Sequence, residues 1–123
     1  MKIERYAAID IGSNAVRVLI SNVVTKATAP PKYMKSSLVR VPIRLGQDSF
    51  TVGEISEANI KRMVKAMKAF KLIMKVNKVK RYMACATSAL REANNAEEVI
   101  RTIKKKAGIE IQIIDGKREA EII

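Results

Sequence analysis

Asp10 closes an apolar run rich in β-branched residues, and Gly12-Ser13-Asn14 follows two positions later. Those residue types at that spacing suit the handling of phosphate. Gly12 lets backbone come close to a ligand. Ser13 and Asn14 add a hydroxyl, an amide and backbone N–H groups that can line a small anion-binding concavity. A carboxylate such as Asp10 beside this loop suits a hydrated magnesium ion, which takes one or two carboxylates and fills its shell with water and phosphate oxygens. An ordinary hairpin turn uses the same residue types. From this stretch alone both readings stand.

The elements that must hold these residues can be read outward from them. Ile3 to Ile11 and Val16 to Val24 read as two strands joined by the Gly12-Ser13-Asn14 break. Pro30-Pro31 within Thr25 to Ser37 predicts a mobile loop. Leu38 to Leu45 reads as a third strand, with Pro42 marking an edge position or a bulge, and Gly46 to Gly53 as a second loop. Ser56 is placed to cap a helix running to about Lys75, whose Ile60, Met63, Val64, Met67, Phe70, Ile73 and Met74 share one face. The basic stripe of that helix, Lys61, Arg62, Lys65, Lys68, Lys71 and Lys75, reads most simply as its solvated side. Val79 to Ala86 has the near-continuous apolar character of a strand covered on both faces. Asn95 with Glu98 predicts a capping box for a helix over Ala96 to Ala107, ended by Gly108. Ile109 to Ile114 reads as a last buried strand, Asp115-Gly116 as a turn, and Arg118 to Ile123 as the start of another helix.

Composition narrows the chemistry. The chain has 123 residues with 24 Lys+Arg against 12 Asp+Glu, a net charge of +12 that points to a polyanionic partner. With no His and a single Cys, Cys85, the sequence has no residues for disulfides, His-based acid–base chemistry or Cys/His zinc sites. A reducing, cytoplasmic setting is the matching expectation. No apolar run reaches the ~18 residues of a membrane span, and the N-terminus lacks a signal-peptide pattern. Aromatic residues make up 4% and Trp is absent, so the charge alone supports only unspecific nucleic-acid binding.

Three strands, a helix, a strand, a helix, a strand and the start of a helix imply an α/β fold. The expected sheet is mixed and five-stranded with helices packed on it, in the ribonuclease-H-like arrangement. Ligands of such sheets lie outside the carboxyl ends of strands. That rule gathers Asp10 and the Gly12-Ser13-Asn14 hairpin, Thr87-Ser88 and Arg91 after the fourth strand, and Asp115 to Glu119 after the fifth.

Here the residues resemble a family. Ala8-Ile9-Asp10-Ile11-Gly12-Ser13-Asn14 with Val16-Arg17-Val18-Leu19-Ile20 is similar to the first phosphate loop of the exopolyphosphatase/guanosine pentaphosphate phosphatase family. Arg44-Leu45-Gly46, Ala86-Thr87-Ser88-Ala89-Leu90-Arg91-Glu92-Ala93 and Gly116-Lys117-Arg118-Glu119-Ala120 resemble three further blocks of that family, in the same order. The resemblance implies an actin-like ATPase fold, two ribonuclease-H-like lobes with the site in the cleft between them. It also implies hydrolysis of a terminal phosphate from inorganic polyphosphate or guanosine pentaphosphate, with Mg2+. Carried onto this chain, it makes Gly12, Ser13, Asn14 and Arg91 the phosphate-binding residues, Asp10 the residue that places the metal or its water, and Glu119 the catalytic general base. Thr87 and Ser88 shape the loop.

The sequence departs from the family pattern in places. Ala15 stands where Ser or Thr is usual, Asn95 where Gly is common, and Asp115 where Ser usually precedes Gly116. Lys117-Arg118 puts two cations beside the expected base, which favours its ionised form and lowers its basicity. The family's second phosphate loop, of the type Asp-Ile-Gly-Gly-Gly-Ser-Thr, is not among these residues. Residues 1–123 are therefore expected to form a single N-terminal lobe lacking its C-terminal partner lobe, inactive alone, with a bare face open to pairing as a homodimer. Two other classes stay on the table: a non-enzymatic basic module binding nucleic acid or other polyanions, and a kinase or ATPase of the same superfamily.

Overall fold

A computed structural model describes residues 1–115. The expected turn at Gly116, the helix from Arg118 and the expected base Glu119 lie outside the described residues.

Strand β1 (Lys2–Ile11) pairs antiparallel with β2 (Ala15–Lys26). Alternation along both strands sends Ala7, Ile9, Ile11, Val16, Val18 and Ile20 to one face, where none is more than 7% exposed. Strand β3 (Ala29–Pro42) continues the antiparallel meander, β4 (Arg81–Ala86) lies parallel to β1, and β5 (Ile111–Ile113) lies parallel to β4. The five strands run in the order β3-β2-β1-β4-β5, a mixed sheet. This is the expected ribonuclease-H-like α/β lobe.

The helices are α1 (Leu45–Thr51), α2 (Glu57–Val76), α3 (Ser88–Glu92) and α4 (Ala96–Ala107). Met63, Met67 and Phe70 of α2 and Val99 and Ile103 of α4 pack with the inward strand residues into one core. Phe70 is fully buried, and burying such a side chain contributes about 1.5–3 kcal/mol. Ser56 caps α2 as expected, its hydroxyl accepting from the Asn59 N–H at 3.2 Å. Gly108 ends α4 at φ 70°, the left-handed conformation that favours glycine. The opposite sheet face carries Asp10, Arg17, Leu19, Leu38 and Met83.

Several boundaries differ from the sequence reading, each for a physical reason. Thr25 to Ser37 is not a loop: β2 and β3 run on to Lys26 and from Ala29. Pro30-Pro31 fit because β3 is an edge strand, and the ladder shifts register between Val24 and Lys26 alongside them. Gly46 to Gly53 is mostly helix rather than loop, since α1 buries Leu45 and Ser49. It has no side-chain cap and only seven residues, so tertiary packing holds it. Strand β5 is shorter than Ile109 to Ile114, and an unforeseen short helix, α3, fills Ser88–Glu92.

The expected capping box at Asn95 does not form. Its side chain instead accepts from the Ile55 N–H and donates to the Ile55 carbonyl, both at 2.9 Å. Two backbone groups of a buried residue are thereby satisfied together, a larger gain than one exposed helix-end donor offers.

Candidate functional site

The hairpin between β1 and β2 is a tight one. The Gly12 N–H donates to the Ala15 carbonyl at 3.0 Å, leaving Ser13 and Asn14 as the two residues at its tip. Both tip carbonyls are engaged from one side: the Gly46 N–H donates to Ser13 O at 2.8 Å and the Ile43 N–H to Asn14 O at 3.2 Å. Among the described residues the N–H groups of Ser13 and Asn14 have no protein acceptor. A loop whose carbonyls are tied back and whose N–H groups are unclaimed presents positive backbone dipole to whatever approaches.

The parallel pairing of β1, β4 and β5 brings distant blocks to this end of the sheet. Ile11 lies beside Ala86, and Ala86 beside Ile113. The Thr87 N–H donates to Ile11 O at 3.3 Å, so β4 ends next to the hairpin. The Ser13 and Ser88 hydroxyls then meet at 3.3 Å, bridging 75 positions of sequence.

Arg91 projects from α3, where its Nη1 donates to Ile114 O at 2.9 Å. Its Nε lies 3.5 Å from Glu92 Oε1, the neighbouring-carboxylate contact at a weak distance. One edge of the guanidinium thus locks α3 to the end of β5, and Nη2 has no acceptor among the described residues. Asp10 lies at the carboxyl end of β1. Its Oδ2 accepts from Arg17 Nε at 3.0 Å, while its Oδ1 is buried with no hydrogen-bond partner among the described residues. A buried carboxylate oxygen without a partner is costly and unusual in a stable fold. No group of three or more His, Cys, Asp or Glu side chains gathers among the described residues.

Asp10, Gly12, Ser13, Asn14, Ser88 and Arg91 are therefore gathered at one end of the sheet, and Glu119 lies outside the described residues. Two contributors sit inside the quoted motif blocks but were given no role from the sequence. Arg17 follows from hairpin register, since a two-residue tip places position 17 opposite position 10. Gly46 backs the loop so closely that an added Cβ would stand 3.1 Å from Ser13 Cβ. No local pattern announces that contact.

A model of the Ppx/GppA phosphatase family matches residues 23–123. The chain belongs to that family. It is 29% identical to exopolyphosphatase 1 of Mycobacterium tuberculosis over 118 residues, which are 96% of this chain and 33% of that protein. The crystal structure of the Aquifex aeolicus Ppx/GppA family member superimposes with a TM-score of 0.86 at 31% identity, covering 96% of this chain and 37% of that one. An exopolyphosphatase from Cytophaga hutchinsonii matches at a TM-score of 0.82 and 32% identity, over 98% of this chain and 37% of that one. The chain thus spans about a third of the length of these Ppx/GppA relatives. The Arg44-Leu45-Gly46 and Ala86 to Ala93 blocks fall within the matched segment and flank the hairpin in space. No helix among the described residues is long and apolar enough to cross a membrane.

Proposed function

We propose that this chain forms one wall of a phosphoanhydride hydrolase site, and that the bond split is the terminal one of inorganic polyphosphate. The observation that best supports this is the hairpin tip, with both carbonyls tied back and both N–H groups unclaimed. In this reading the Ser13 and Asn14 N–H groups and the Ser13 hydroxyl hold the terminal phosphate. Gly12 permits its close approach, and the unengaged side of Arg91 contacts its oxygens with a planar fork suited to them. Water attacks the terminal phosphorus in line, Glu119 takes the proton, and the bridging P–O bond breaks, releasing phosphate and a chain shortened by one unit. Positioning and charge neutralisation supply most of the rate. Guanosine pentaphosphate offers the same kind of terminal bond to the same contacts.

Asp10 fits a metal role in one specific way. Its unpartnered Oδ1 is one hard oxygen donor, and one carboxylate suits a hydrated Mg2+ shared with substrate oxygens rather than an all-protein cage. Such an ion, when bound, neutralises charge on the phosphate oxygens. In this reading a second wall comes from a further lobe; the chain spans about a third of the length of the relative it matches. Glu119→Gln in a full-length form should lower kcat by ~100- to 10,000-fold with KM within a small factor. Near-normal phosphate release from polyphosphate by this variant would refute the assignment.

A further inference from the structure

Beside the hairpin lies a cavity of about 600 Å³, lined by Asn14, Arg40, Pro42, Arg44 and Gln47. That volume lies within the ~300–1,000 Å³ of small-ligand sites. Two of its four polar side chains are guanidinium groups, the other two are amides, and none is acidic. Arg40 and Arg44 make no ion pair or side-chain hydrogen bond among the described residues.

Strand register adds a second, independent observation. Asp10 stands opposite Arg17, and Arg17 opposite Arg40, so one row crosses three strands as carboxylate, guanidinium, guanidinium. The carboxylate answers only the first arginine. Like charges directly opposite each other on a sheet destabilise it, and the row lacks one negative charge beside Arg40. The backbone around this point is fixed from both sides. Arg62 Nη2 donates to Pro42 O at 2.8 Å, and the Ile43 N–H donates to Asn14 O. Arg40 and Arg44 therefore sit on a held frame, continuous with the hairpin tip through Asn14.

We propose that this cavity is a second anion subsite, taking the inner phosphates of a chain whose terminal phosphate rests on the Gly12–Asn14 tip. It selects oligophosphates over single phosphates. This inference rests on the phosphate-loop reading above and adds a chain-length reader to it. Asn14 is the shared residue, its backbone N–H serving the tip and its side chain the cavity. Two arginines offer forked donors to successive phosphate groups, a geometry that a lone orthophosphate cannot span.

The test is calorimetric titration of the 123-residue chain with orthophosphate and with tripolyphosphate, for the parent, for Arg40→Gln/Arg44→Gln and for Lys65→Gln/Lys68→Gln. The lysine pair removes the same charge from the exposed side of α2. The arginine variant should lose ~10- to 100-fold in tripolyphosphate affinity and keep orthophosphate affinity within about twofold. The lysine variant should change neither by more than about twofold. Arg40→Gln alone should raise Tm in phosphate-free, low-salt buffer by relieving the Arg17–Arg40 repulsion, and should shrink the further rise that tripolyphosphate brings. Equal losses for both double variants, or equal losses for both ligands, would overturn the subsite. A parent chain that binds the two ligands with the same affinity would overturn it too, leaving the phosphate loop standing. A parent that binds neither would bring down the loop reading and this inference with it.

Discussion

Gly46→Ala tests whether α1 positions the phosphate loop. An ideal Cβ at Gly46 would lie 3.1 Å from Ser13 Cβ and 3.3 Å from the Phe50 ring. Ordinary carbon–carbon contact is ~3.5–4.0 Å, so roughly half an ångström must be found. Phe50 is 59% exposed and can swing away. Ser13 cannot rotate its Cβ, and its carbonyl is tied to the Gly46 N–H at 2.8 Å, so the relief falls on the backbone of the hairpin tip. Stability should fall by no more than about 2 kcal/mol, because alanine gains about 1 kcal/mol of helix preference over glycine while the crowding costs about 1–3 kcal/mol. Function should change more. Displacement of a positioning group by ~1 Å costs ~100-fold, so about half of that should cost ~10-fold in phosphate release by a full-length form. The assay pairs urea denaturation of the 123-residue chain with steady-state phosphate release. Unchanged turnover in a variant whose stability has moved by no more than the helix-preference term would refute the idea that Gly46 sets the loop.

Other outcomes follow from the packing. Asn95→Asp should destabilise by about 2 kcal/mol or more in denaturant titration, since a carboxylate cannot donate to the Ile55 carbonyl; equal or greater stability would restore the capping-box reading. Lys78→Gly should stabilise by about 1 kcal/mol, because Lys78 holds φ 55° just after α2, a conformation costly for a residue with a Cβ; a lower midpoint would contradict this. Hydrogen bonds from Lys80 and then Lys2 draw the Glu4 carboxyl down to about 2 from 4.5. A depressed folded-state pKa gives stability that is present above 4.5 and lost as pH falls toward 2. Glu4→Gln should therefore lower Tm at neutral pH and converge with the parent on acidification; a difference independent of pH would rule out the ionic contribution.

The parts legible in the sequence are those set by local periodicity. Alternation in β1 and β2, the apolar face of α2, the Ser56 cap and Gly108 all carry their own signal. The mixed five-stranded sheet followed because an antiparallel meander and strand–helix crossovers leave few arrangements. What stayed hidden was set by partners far along the chain. Pro30-Pro31 read as a break until edge position made them tolerable within β3. Asn95 carried a capping signal that Ile55, forty positions earlier, outcompeted. Helix α1 has no cap, and its value lies in one glycine against Ser13. Within the candidate site, the hairpin and Arg91 announced themselves by motif. The Asp10–Arg17 pair and the Arg40–Arg44 cavity emerge only when register is known.

The central claim, that the Ser13–Asn14 tip grips phosphate through its backbone, is tested most directly by following the amide resonances of the ¹⁵N-labelled chain during tripolyphosphate titration. Saturating shifts are expected, led by the Ser13 and Asn14 amides, which have no protein acceptor among the described residues, with Gly46 and Ser88 following as their contacts adjust. Shifts confined to Lys65, Lys68, Lys104, Lys105 and Lys106, with the hairpin tip unmoved, would contradict it and leave only diffuse attraction to the +12 charge.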